Sequence, residues 1–232
     1  MTTIYLVRHG QASFGAESYD QLSQKGEVQA RVLGQYFQKL LQERPYVIAG
    51  SMKRHQQTAD ISMKECFPDS QIDIDPHWNE FNHQQVFAKY EPRFADPALL
   101  KKDVSQAVDP RAYLGKIFEG AIQRWTNGDH HHDYDESWLQ FQQRVLQGLN
   151  KLCVQLEKEK PRYAVVYTSG GVISVVAGHL LGLSADKTFA LNWAITNTSF
   201  TTLRLVGTEP QLLSLNEHHY LKEQDRDLLT WI

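Results

Sequence analysis

The 232-residue chain is short of the features that mark several broad classes of protein. Its only cysteines, Cys66 and Cys153, both fall in segments with helical spacing, so they read as small apolar residues and not as a disulfide or a metal pair. An excess of positive charge is missing: 24 Lys and Arg stand against 27 Asp and Glu, a formal net charge of −3. No overall basic field therefore points to nucleic acid, and any anion recognition must be local. No apolar run approaches the length of a membrane span, and Met1-Thr2-Thr3 passes into a strand pattern without the basic flank and apolar stretch of a signal peptide. A cytoplasmic protein with neither a membrane nor a nucleic-acid partner is the expectation. Internal repeats and low-complexity tracts are absent as well.

What is present is an alternation of apolar runs with helical patterns, and 41% hydrophobic content suffices for an extended core. Ile4-Tyr5-Leu6-Val7 reads as a buried strand that ends abruptly in Arg8-His9-Gly10. After a polar, glycine-containing stretch from Gln11 to Leu22, Ser23 offers an N-cap to a helix carrying Val28, Val32, Leu33, Tyr36, Phe37, Leu40 and Leu41. Pro45 stops that helix, and Tyr46-Val47-Ile48-Ala49 predicts a second strand running through Gly50-Ser51 into Lys53-Arg54-His55 and a helix with Thr58, Ala59, Ser62, Met63 and Cys66. Ile72 to Asp75 alternates as a strand and leads to Trp78-Asn79-Glu80-Phe81. From Asn82 the rhythm lapses and Pro92, Pro97 and Pro110 punctuate short apolar clusters, which predicts a helical cap insertion over about 82–135 in a single domain of 1–232. Spacings of three and four through Trp138, Phe141, Val145, Leu149, Leu152 and Leu156 predict a long helix. Tyr163 to Tyr167 then predicts a strand that turns at Thr168-Ser169-Gly170-Gly171 into a helix beginning near Val172. Ser199 to Val206 and Leu212 to Leu215 predict an antiparallel pair around Gly207-Thr208-Glu209-Pro210.

This alternation predicts an α/β fold of three layers, a mostly parallel sheet flanked by helices, and ligands of such sheets bind beyond the carboxyl ends of the strands. Four of those ends carry Arg8 with His9, Arg54, Glu80, and Ser169 with Gly170 and Gly171. An arginine fork suits an anion, and a histidine beside it is a possible nucleophile. A carboxyl group can pass a proton to or from an oxygen. A glycine-rich turn that opens a helix can offer backbone N–H groups and the positive end of the helix dipole to an anion.

The same residues resemble the histidine phosphatase superfamily, the phosphoglycerate-mutase-like group. Its Arg-His-Gly signature matches Arg8-His9-Gly10, and its arginine followed by Gln-Thr-Ala matches Arg54 with Gln57-Thr58-Ala59. Its Glu-Ser with a later Arg-Val matches Glu136-Ser137 and Arg144-Val145, and its acidic residue before the cap matches Glu80. Several motifs in one order are far more specific than a lone Arg-His-Gly. The resemblance implies phosphoryl transfer through a phosphohistidine at His9, with catalytic roles for His9, Glu80, Arg8 and Arg54. Phosphate would be held by Arg8, Arg54, Ser169 and Gly170, without metal or cofactor. One departure stands out: the superfamily's Ser-His-Gly-Gly aligns with Thr168-Ser169-Gly170-Gly171, so its second histidine is Ser169 here. A hydroxyl brings neither a cationic charge nor an imidazolium donor, and single donor losses at such sites cost on the order of 2.7 to 4 kcal/mol. A slower enzyme is expected unless another residue fills the place, and His218, beside His219 beyond the last strands, is the substitute the sequence offers.

Other polar groups have plainer readings. Asp129-His130-His131-His132-Asp133 with Asp135 looks like a metal cluster, but neighbouring side chains diverge, and a solvated loop is the better reading. Glu136 and Ser137 suit a helix start. His55 reads equally as a substrate contact or a surface residue, and Asp75, Glu91, Asp96, Glu119 and Glu136 also lie in or near the cap as alternatives to Glu80. The expected function is metal-independent hydrolysis of a small phosphomonoester. A phosphoglycerate-type mutase, or a phosphate-binding pseudoenzyme with little turnover, is the alternative.

Overall fold

β1 (Thr2–Arg8) is an interior strand of the sheet in the computed structural model, which describes residues 1–13 and 20–231. The loop expected from Gln11 to Leu22 thus lies outside the described residues over 14–19. The other strands are β2 (Tyr46–Ala49), β3 (Ile72–Ile74), β4 (Tyr163–Thr168), β5 (Phe200–Val206) and β6 (Glu209–Glu217), in the order β3-β2-β4-β1-β5-β6. β3, β2, β4 and β1 run parallel, while β5 is antiparallel to β1 and β6 to β5. The sheet is therefore mixed and mostly parallel, in an α/β fold.

Among the described residues nine α-helices accompany it: α1 (Gln24–Leu40), α2 (Lys53–Cys66), α3 (His83–Tyr90), α4 (Pro97–Gln106), α5 (Pro110–Thr126), α6 (Trp138–Glu159), α7 (Gly170–Leu181), α8 (Ala185–Ala194) and α9 (His219–Gln224). Ser23 caps α1 as expected, its hydroxyl accepting from the Gly26 N–H at 3.1 Å. On one sheet face Tyr5, Val7, Val47, Ala49, Val165 and Tyr167 pack with Leu33 and Phe37 of α1, Ala59 and Met63 of α2, and Tyr220 and Leu221 of α9. The alternating residues Ile4, Leu6, Ile48, Ala164 and Val166 project from the opposite face and are buried too. Burial on both faces explains why β1 and β4 read as continuous apolar runs.

The chain divides into two compact units, Met1–Glu80 with Val145–Ile232, and Phe81–Arg144. The second unit has its own aromatic core, in which Trp125 lies 4.6 Å from Phe81, 5.3 Å from Trp138 and 5.7 Å from Phe141 between ring centroids. The α6 chain starts in that unit and continues in the first, where Val145, Leu149, Leu152 and Leu156 are buried.

Three sequence readings shift. Glu209 and Pro210 belong to β6 and leave Gly207, at φ +61°, with Thr208 as the turn. β6 is an edge strand, the place in a sheet where proline is tolerated. α7 begins at Gly170, ahead of Val172, and α8 and α9 occupy stretches where no helix was expected.

Candidate active site

Parallel pairing sets the site's frame. Arg8 lies opposite Thr168 and Ala49 opposite Tyr167, so β1, β2 and β4 stop together, and the residues leaving them are His9, Gly50 and Ser169. The His9 N–H donates to the Thr168 carbonyl at 2.8 Å, which carries the β1–β4 pairing one residue past β1. Thr58 ties α2 to the same turn: its hydroxyl accepts from the Gly10 N–H at 3.1 Å and donates to the Arg54 carbonyl at 2.6 Å.

His9 is buried, and its two ring nitrogens have distinct partners. Nδ1 is 2.7 Å from the Gly10 carbonyl, which can only accept, so Nδ1 carries the proton. Nε2 is thereby left with its lone pair, and the Nε–H of Arg54 points at it from 3.2 Å. Burial, then the Arg54, His55 and Arg8 side chains, hold the His9 imidazole well below its ordinary range, so it is neutral at neutral pH.

The arginines are fixed from behind. Arg8 donates Nη1 to the Ile195 carbonyl and Nη2 to the Trp231 carbonyl, the latter at 2.9 Å. A side chain on Gly170 would start 3.6 Å from Arg8 Nε, so the guanidinium neighbours the first turn of α7. Arg54, nearly buried at 4% exposure, also pairs Nη1 with Asp20 Oδ1 at 2.8 Å. The other Asp20 oxygen accepts from the Lys53 N–H at 3.0 Å and so caps α2. Asp20 is a site residue that sequence reasoning missed, because nothing local links it to a helix more than thirty residues later.

Glu80 closes against α7. Its Oε2 accepts from the Gly171 N–H at 3.0 Å, and a Cβ on Gly171 would come within 2.2 Å of Oε1, so only glycine admits the carboxylate there. Among its rivals, Asp75 is engaged elsewhere, bound by Lys151 at 2.8 Å and His77 at 2.5 Å. Ser169 sits between Thr168 and this helix start, fully buried, and its hydroxyl is 2.6 Å from Nε2 of His55. That imidazole is fully buried as well, 5.6 Å from the His9 ring, and burial and Arg54 keep it neutral. The surface reading of His55 is therefore corrected.

The remaining sequence candidates have partners of their own. His218 Nδ1 bonds the Asn216 carbonyl at 2.5 Å and its ring stacks on His219, with no hydrogen bond to Arg8, His9, Arg54 or Ser169 among the described residues. Glu136 grips Arg144 through two hydrogen bonds of 2.6 and 2.9 Å, while Ser137 and Gln140 exchange bonds at the start of α6. In the histidine run Asp133 pairs with Arg124 at 2.5 Å, and among the described residues no group of three His, Cys, Asp or Glu is placed to hold a metal ion. Cys66 and Cys153 are free thiols, pushed up to about 11 by burial. No described helix is long and apolar enough to cross a membrane.

A neutral imidazole with an outward lone pair, two guanidinium groups, a carboxylate and a helix N-terminus are thus gathered at one sheet edge. A family model for the histidine phosphatase superfamily (branch 1) matches residues 4–98 and 109–218. Among solved structures, the chain is similar to a phosphoglycerate mutase from Bacillus anthracis str. Sterne, with 18% identity over 96% of each chain and a TM-score of 0.67. It is similar to a mutant phosphoserine phosphatase from Entamoeba histolytica in complex with phosphoserine, with 16% identity over 95% of this chain and 100% of that one and a TM-score of 0.63. An alpha-ribazole phosphatase from Shigella flexneri shares 17% identity over 93% of this chain and 96% of its own, with a TM-score of 0.57. A search of curated protein sequences finds no match.

Proposed function

The chain belongs to the histidine phosphatase superfamily, and from that premise we propose that it is a metal-independent phosphatase of small phosphomonoesters acting through a phosphohistidine at His9. The observation that carries this reading is the tautomer of His9. With Nδ1–H committed to the Gly10 carbonyl, the Nε2 lone pair is the atom left to attack, and burial keeps it unprotonated.

In the first step Nε2 forms a bond to phosphorus as the bond to the ester oxygen breaks, and Glu80 in its protonated form gives that oxygen its proton, becoming the carboxylate that serves the second step. Arg8 and Arg54 hold the phosphoryl oxygens. Their charge is permanent and their orientation is set by Ile195, Trp231 and Asp20, so it is available as negative charge spreads in the transition state. Arg54 exchanges its bond to Nε2 for the incoming phosphate, which uncovers the nucleophile only when the anion is present. In the second step water attacks phosphorus and passes a proton to the Glu80 carboxylate, the nitrogen–phosphorus bond breaks, and the lone pair returns to His9.

The test is hydrolysis of p-nitrophenyl phosphate in excess chelator, with labelling by a radioactive phosphomonoester quenched in alkaline detergent. Turnover and a base-stable, acid-labile phosphoprotein are expected, and both disappear in His9→Ala. Activity that vanishes with chelator and returns with zinc overturns the mechanism. Vanadate binding without turnover makes the protein a phosphate-binding module, and phosphate transfer between hydroxyls in preference to water makes it a mutase.

A further inference from the structure

His55 and Ser169 are the part of the site that the two-step scheme leaves unused. Ser169 is one residue beyond the Arg8–Thr168 register pair, which makes it the cross-strand neighbour of His9. Its hydroxyl is 2.6 Å from His55 Nε2, both residues are 0% exposed, and the two imidazole rings are 5.6 Å apart.

Packing alone does not account for the imidazole. Its Nδ1 is buried without a hydrogen-bond partner, and an orphaned buried polar atom is a cost that an apolar ring in the same space would avoid. The fold also makes room for it, since a Cβ on Gly50 would stand 2.2 Å from Nδ1. A histidine kept in such a place is explained by what its other nitrogen does.

Either tautomer of His55 can bond the serine hydroxyl, and the one that leaves an orphaned N–H on Nδ1 is the costlier. With the proton on Nε2, His55 donates to the serine oxygen, and the orphan is a lone pair on Nδ1, not a buried N–H. The serine hydrogen is then released from His55 and directed to another acceptor. We propose that His55 is a positioning residue that holds Ser169 from behind, so that the serine O–H donates to the phosphoryl group on its way to His9. The inference rests on the phosphatase reading for the nature of the bound group. No proton changes owner in this relay: the imidazole N–H stays on His55, the O–H stays on Ser169, and what is transmitted is orientation and polarisation. Helix α2 then contributes to the phosphate pocket twice in succession, Arg54 as a direct clamp and His55 through the serine.

The test is a double-mutant cycle with p-nitrophenyl phosphate on Ser169→Ala, His55→Phe and the combination. Phenylalanine keeps a ring in the buried space and exchanges the orphan nitrogen for an unpartnered serine hydroxyl, so the variant is expected to fold, and thermal melting checks this. Each single change is expected to lower kcat by about tenfold or more with a smaller effect on KM, and the double variant is expected to be no slower than the worse single one. His55→Gln, which restores an N–H at similar reach, is expected to recover part of the rate. Wild-type kcat in His55→Phe, or losses that multiply in the double variant, overturns the relay. Vanadate binding provides a readout that does not need turnover. If the wild type fails to hydrolyse phosphomonoesters yet His55→Phe and Ser169→Ala weaken vanadate equally and without additivity, the phosphatase reading falls and the relay stands. If hydrolysis depends on His9 and neither variant changes kcat or vanadate affinity, the relay falls alone.

Discussion

Arg54 is the residue on which most of the candidate site converges. Its Nε–H meets the lone pair of His9 at 3.2 Å, its Nη1 meets Asp20 at 2.8 Å, and its carbonyl accepts from Thr58, which also receives the Gly10 N–H. A lysine has the charge but one donor head on a flexible stem, so it cannot hold both directions at once. Arg54→Lys is expected to lower kcat for p-nitrophenyl phosphate by about 100- to 1000-fold, the range for losing one fixed donor to a transition state. Steady-state rates decide this, and a loss of less than about threefold would show that charge without geometry is enough. Arg8, His9, Arg54 and Glu80 were legible because each ends or follows an apolar run. Ser169 was legible in its Gly-Gly turn for the same reason. His55 was visible but undecided, since one residue on a helix start has no preferred direction until the neighbouring strand is in place. Asp20 had no signal at all, being joined to Arg54 only by the fold.

At the scale of elements, the site depends on how closely turns approach one another. The β2–α2 turn is squeezed at Gly50, where a Cβ would come within 2.2 Å of His55 Nδ1, 2.8 Å of Asn79 Oδ1 and 2.9 Å of the Trp78 carbonyl. The last of these is backbone and yields little. Gly50→Ala is therefore expected to destabilise the protein by about 1–3 kcal/mol, the usual cost of overpacking, and to slow turnover by displacing His55. Adding His55→Ala removes the nearest clash. Urea melts should show the double variant more stable than Gly50→Ala alone, while its rate stays low, and a double variant no more stable than the single would place the clash elsewhere. The elements themselves were largely readable: β1, β2 and β4 are dense runs of branched and aromatic residues, and α1 and α6 show one apolar face. β6 was longer than its apolar centre because an edge strand tolerates Pro210 and polar alternation. α9 escaped notice because a short helix of six residues carries too few turns to show a period.

Over the whole molecule, the buried histidines tie stability to pH. His9 and His55 are both held neutral, chiefly by burial and then by Arg54. In the unfolded chain their pKa values return to about 6.5. Below that pH the unfolded state binds two protons that the native state excludes, so the unfolded form gains protons relative to the native one and stability rises with pH and falls as pH drops. Once both unfolded imidazoles are charged, the slope from this pair approaches about 2.7 kcal/mol per pH unit. Asp75 adds a second, lower window. Burial alone would raise its carboxyl, but hydrogen bonds from Lys151 and His77 outweigh that and bring it to about 2 from 3.8. A depressed carboxyl stabilises the fold above the unfolded value, and that contribution, about 2 kcal/mol, is lost as pH falls from 3.8 toward 2. Urea unfolding at a series of pH values separates the two windows. Between pH 6 and 4.5 the slope should correspond to about two protons in the wild type and about one in His55→Phe, with the Asp75 loss setting in only below that range. An unchanged slope in His55→Phe would mean that His55 takes up its proton in the native state.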